Sequence, residues 1–149
     1  MDEAATISYI TTTFASVETV IVSDNSFFFY DLERKFPFAT LMTNDDNDNA
    51  SALNRPRIFR LNIGISKPTF RTLFGASSPA PDADNADANA DAYDFTALDR
   101  LLPHPVYGRM FWVCVLNPSA TTFATAVQPL LAEAYDIAVG RETRRAARS

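Results

Sequence analysis

Ile7, Ile10, Phe14 and Val17 recur at helical intervals behind Asp2 and Glu3, acids suited to the positive end of a helix dipole. A first helix over about 3–15 is predicted. The period then changes from helical to extended. Val17 to Ser23 is a β-branched run, Asp24-Asn25-Ser26 reads as a turn, and Phe27 to Tyr30 resumes as an apolar strand, which together predict a hairpin. A turn at Asp31 to Lys35, a strand at Pro37 to Thr43, an acidic loop and a strand at Arg57 to Ile63 follow. Four locally joined strands predict an antiparallel meander.

Ser66 is placed to cap a short helix over Lys67 to Phe74, with Pro68 tolerated in its first turn and Gly75 ending it. Residues 76–92 are Pro, Asp, Ala, Asn and Ser with nothing to anchor a core, and read as a mobile, solvated loop. Asp94 is expected to cap a helical turn reaching Leu102. An irregular loop over Pro103 to Gly108 and a fifth strand over Met110 to Leu116 come next. The closing helix carries Val127, Leu130, Leu131, Ala134, Tyr135 and Ala138 on one stripe, with Pro129 opening or kinking it. The expected fold is α+β: a twisted antiparallel sheet of about five strands with helices packed on it, in the order α-β-β-β-β-α-α-β-α.

Strand composition adds a second expectation. Phe27 to Tyr30 and Met110 to Leu116 are apolar at consecutive positions, so both faces of the sheet must be covered. The cover for the second face is open among the Asp94 to Leu102 segment, a partner subunit, and a ligand in an aromatic-lined cleft.

One domain of 149 residues is long enough to bury a core without a disulfide, and its single cysteine could form none internally. No secretory leader is read at the N-terminus and no apolar run is long enough to span a bilayer, so a cytoplasmic location is expected. The net charge of −5 is unevenly spread. Seven acids lie in two loops expected to be mobile, 44–54 and 76–93. Setting them aside leaves eleven acidic against thirteen basic side chains. An arginine-rich tail, 141–149, is expected to fray. With no strong basic face, nucleic acid is not the expected partner, nor is a membrane.

The chain's one histidine, one tryptophan and one cysteine all fall within His104 to Cys114. A Cys114–His104 pair is the only thiol chemistry available, but Cys114 sits in an apolar strand as a buried hydrophobe would. Asp, Asn and Ser at 24–26 are what a turn uses anyway. Arg55, Arg57, Arg60, Lys67 and Arg71 form the densest basic stretch. Strand alternation sends Phe59, Leu61 and Ile63 to one face and Arg60 and Asn62 to the other, where a surface ion-pair network with the acidic loop is expected. Four glycines form no Walker or dinucleotide fingerprint, and one histidine and one cysteine supply no zinc site, so neither cofactor nor metal is expected. The candidate binding residues are His104, Tyr107, Arg109, Arg60, Asn62 and Trp112, and no catalytic residue is assigned.

The stretches Ser23 to Asp31, Phe59 to Gly64, and Asp94-Phe95-Thr96 through His104 to Gly108 and Trp112 to Pro118 resemble a small bacterial family of uncharacterised proteins, a domain of unknown function. Phe38-Ala39, Arg60-Leu61, Trp112-Val113 and the closing Leu130-Leu131 to Ala134-Tyr135 helix are distantly similar to the MmcQ/YjbR-like proteins. That similarity implies an α+β fold with an antiparallel sheet and a DNA-binding role, against which the two acidic loops stand. The leading functional reading is a non-enzymatic cytoplasmic binding or interaction domain, as a monomer or a homodimer. The alternative is a weak DNA-binding module using Arg55 to Arg71 and the tail, and a third is a thiol enzyme on Cys114. A cavity beside Trp112 with His104 and Arg60 at its rim would favour small-molecule binding.

Overall fold

The computed structural model describes residues 2–30, 36–75 and 93–147. The alanine–aspartate stretch at 76–92 and the turn at 31–35 lie outside them. The elements are α1 (Glu3–Thr13), β1 (Val17–Val22), β2 (Asn25–Tyr30), β3 (Ala39–Met42), β4 (Arg60–Gly64), α2 (Lys67–Phe74), β5 (Leu102–Pro103), β6 (Trp112–Leu116) and α3 (Gln128–Ala147). A helical turn (Ala120–Thr122) and a π-helical segment (Phe123–Val127) lead into α3. All strands pair antiparallel in one six-stranded sheet, ordered β1-β2-β3-β4-β6-β5. The α+β class with a local meander is therefore present.

The hairpin turn is tighter than the sequence suggests. Ser23 and Asp24 both adopt left-handed backbone, at φ 51° and 67°, giving a two-residue connection whose twist matches the strands. Asn25 and Ser26 already belong to β2, and Asn25 is buried, accepting from Thr43 N–H and donating to Asn44. Residues 93–100 form turns rather than a helix. Asp94 accepts from Thr96 N–H in an Asx turn, a local alternative to helix, and Asp99 is left-handed at φ 56°. Beyond them Leu102–Pro103 adds a sixth, edge strand, where proline's missing N–H costs least.

The helices lie on one sheet face. Asp2 caps α1 by accepting from Ala5 N–H, and Ser66 caps α2 by accepting from Thr69 N–H. Glu133 of α3 accepts from Ser66 N–H and the Thr69 hydroxyl, fastening the start of α2 to α3. Leu61, Ile63, Val113 and Val115 meet Ile10, Phe70, Val127, Leu131, Ala134 and Ala138 in the main core. The apolar stripe expected of the last helix is thus the buried one. Pro129 is the second residue of α3 and so stands in its opening turn, and the wider π turn directly before it gives room where its ring would strike the preceding turn. The arginine-rich tail is helical to Ala147, with Arg145 paired to Glu142 and Arg141 donating to Phe36 O.

The second face is covered by loops. Of the three covers left open, the Asp94 to Leu102 segment is divided: Tyr93 just before it meets Phe74 and Leu101 joins the main core on the helical side, whereas Thr96 O accepts from Arg55 of the loop after the acidic run. Leu53, from the acidic loop, packs with Met42 and Leu116, and Phe27 and Ile58 close around them. Within this acidic loop Asp45 accepts from Leu53 N–H, and its own N–H donates to Asn54.

Candidate functional site

Strand alternation points Phe27, Thr40, Met42, Arg60, Asn62 and Trp112 away from the helices. Together with the 43–59 and 104–111 loops they enclose a cavity of about 330 Å³. Its walls are mostly apolar, including Phe27, Pro37, Met42, Met110 and Trp112. Its polar residues are Thr40, Asn47, Asp48, Arg60, Asn62, His104 and Tyr107. At the mouth, Phe36, Tyr107 and Met110 are 52%, 51% and 63% exposed.

Two local devices shape the wall. Trp112 packs on Gly64, its register partner, so closely that a Cβ there would stand 2.9 Å from the indole. Phe111 is left-handed at φ 66°, which costs roughly 1–2 kcal/mol, and is held by Ile65 N–H on its carbonyl and by Phe70 against its ring. The preceding loop is closed by His104 N–H to Trp112 O and Trp112 N–H to Tyr107 O.

Arg60 is 1% exposed, so the ion pair expected at the surface is a buried one. Its Nη1 and Nη2 donate to the two Asp48 oxygens at 2.9 and 2.6 Å, Nη1 also reaches Ser51 Oγ, and Nε donates to Asn62 Oδ1. Asn62 in turn donates to Thr40 Oγ1 at 2.9 Å. Burial alone would raise the Asp48 pKa, but the Arg60 hydrogen bonds and charge outweigh it and hold the carboxyl below its ordinary value. His104 is pushed down to about 3, by burial first and the Arg60 cation second, with Asp48 opposing in part. The imidazole is therefore neutral at pH 7.

Five of the six residues named from sequence, His104, Tyr107, Arg60, Asn62 and Trp112, line this cavity, and the sixth, Arg109, is exposed and does not. Asp48, Ser51 and Thr40 were not foreseen. A strand arginine on a face that must be covered requires a carboxylate, and that signal alone points to the acidic loop. Cys114 is fully buried, with burial pushing its thiol up to about 12, and its Sγ lies 3.8 Å from Pro103 O. With thiol and imidazole both held neutral, a thiolate–imidazolium pair does not form at neutral pH. The basic stretch also disperses: Arg60 is buried, and Arg55 donates to the Ser51, Ala52 and Thr96 carbonyls. Among the described residues no three His, Cys, Asp or Glu side chains group as metal ligands, and no helix is long and apolar enough to cross a membrane.

No curated protein and no solved structure matches the chain. Residues 1–147 match a family of unknown function, DUF6194. The match spans both loops that close the cavity as well as the sheet beneath it, and on that extent the chain belongs to the DUF6194 family.

Proposed function

We propose that this chain is a binding domain for small, mostly apolar molecules, with the cavity on the second sheet face as its site. The observation that carries the reading is a concave space of about 330 Å³ with an apolar wall and a few converging polar groups. A cavity of roughly 150 Å³ accepts benzene, so this one suits about a dozen non-hydrogen atoms. At roughly 0.5 kcal/mol per atom the affinity would be near 6 kcal/mol, a Kd of tens of micromolar. The sole tryptophan lines the site and reports on it. Titration with small hydrocarbons should shift Trp112 emission saturably, and a fragment set that leaves it unmoved at millimolar concentration would count against the reading.

The DNA-binding alternative draws on Arg55 to Arg71 and the tail. It loses its central cation to Asp48, and its remaining exposed members are Arg55, Arg57, Lys67 and Arg71, of which Arg55 already donates to three backbone carbonyls. Duplex binding that weakens as salt rises is the result that would restore it. A distant YjbR-like similarity agrees with the helix-covered antiparallel sheet, and a cytoplasmic location with a lone cysteine that is buried and unpaired. The homodimer reading draws on β1, an edge strand with Ile21 and Val22 exposed.

A further inference from the structure

We infer that His104 and Arg60 form a two-donor anchor that selects ligands carrying a neutral acceptor oxygen, a carbonyl above all. The inference rests on the pocket reading above and adds the chemistry that the pocket recognises.

The histidine's tautomer is set by its own loop. Nδ1 lies 3.0 Å from both Val106 N and Tyr107 N, and both amides donate to it. A proton on Nδ1 would oppose two N–H groups at once, so the neutral ring carries its proton on Nε2. That nitrogen faces Arg60 Nη2 at 3.4 Å. Both are donors, so this contact is not a hydrogen bond. Nη2 gives one hydrogen to Asp48 Oδ2, which leaves its second hydrogen and the Nε2 hydrogen side by side at the cavity. His104 is 5% exposed, and a buried donor without an acceptor is costly. One oxygen at the usual distance of about 2.9 Å from each nitrogen would satisfy both.

The rest of the floor points the same way. Both Asp48 oxygens and Asn62 Oδ1 already accept from Arg60, so on the sheet floor the His104 and Arg60 hydrogens are the donors left to a ligand, while Asn47, whose amide nitrogen donates to Met42 Sδ, and Tyr107 stand elsewhere on the lining. Asp48 also neutralises Arg60, and a carboxylate ligand would meet that acid close by. A neutral carbonyl set in an apolar frame fits where an anion does not.

Three probes of nearly one shape separate the cases: acetophenone, α-methylstyrene in which the oxygen is replaced by CH2, and benzoate. The single histidine makes long-range ¹H–¹⁵N NMR unambiguous, so one sample reports both tautomer and binding. We expect the Nε2–H tautomer, acetophenone binding about tenfold tighter than α-methylstyrene, benzoate weakest, and the acetophenone complex moving the His104 Nε2 resonance. His104→Phe should keep hydrocarbon binding and lose the ketone preference. An Nδ1–H tautomer in the wild-type protein overturns the anchor whether or not that variant folds. Equal binding of ketone and hydrocarbon overturns the anchor and leaves the pocket standing, whereas no binding by any probe removes the pocket reading and the anchor with it.

Discussion

Replacing Asp48 by Asn removes a charge while nearly keeping the shape, and so isolates the ion pair at the cavity floor. Arg60 is almost wholly buried and donates to both carboxylate oxygens. Without its counterion the guanidinium becomes a lone buried cation, a change that costs about 3–5 kcal/mol in comparable sites. The Asp48 side chain is itself 13% exposed, so some water reaches the pair and the lower end, about 3 kcal/mol, is expected. With a urea m-value near 2 kcal/mol/M the midpoint should fall by about 1.5 M. Arg60→Met combined with Asp48→Asn should recover much of that loss, since removing both charges leaves no uncompensated ion. A loss under about 1 kcal/mol for Asp48→Asn alone, the level of an exposed ion pair, would refute the buried pair and the packing of the 44–54 loop over the sheet.

Acid should weaken the fold well before carboxylates titrate in bulk. His104 titrates near 6.5 when unfolded and about 3 when folded, so between those values only the unfolded chain takes up the proton. Stability is full above about pH 6.5 and falls as the pH drops, by about 4 kcal/mol at pH 3. Asp48, whose folded pKa lies below 3.8, adds loss in the same direction at the acid end of that window. Urea midpoints measured from pH 7 to 4.5 should decline in the wild type and flatten in His104→Gln; a flat wild-type curve contradicts the neutral buried ring. Gly64→Ala should drive the indole off its strand partner, costing about 1–3 kcal/mol and shifting Trp112 emission, and an unchanged spectrum would show that the contact is not tight. Cys114 should resist a disulfide reagent at pH 7.5 until urea unfolds the chain, whereas rapid labelling of the native protein would reopen the thiol chemistry.

Elements with chemical signals at both ends were readable from sequence. Ser66, Pro68 and Gly75 delimit α2, and the Val127 to Ala138 stripe marks the buried face of α3. Period-two alternation also separated Leu61 and Ile63 from Arg60 and Asn62, which is why the site residues on β4 could be named. Elements set by tertiary pairing were not. Leu102–Pro103 is too short to show a period and is a strand only because β6 lies beside it. Asp94 favours a turn as readily as a helix start, and the left-handed Asp99 prevents a helix from continuing. Asp48 looked like one acid among three in a solvated run, because its partner lies 12 positions away and no spacing encodes that pairing. Arg109 was carried into the site by its neighbours in sequence, but the turn at Gly108–Met110 leaves it exposed, outside the lining.

Fragment binding followed by amide NMR tests the central claim most directly, because it locates a ligand as well as detecting one. Small neutral apolar fragments should bind with Kd values from tens to hundreds of micromolar, with shifts gathered on Thr40, Asn62, His104 and Trp112. Absence of binding at millimolar concentration, or shifts gathered on the β1 edge instead, would contradict a ligand site on the second face of the sheet.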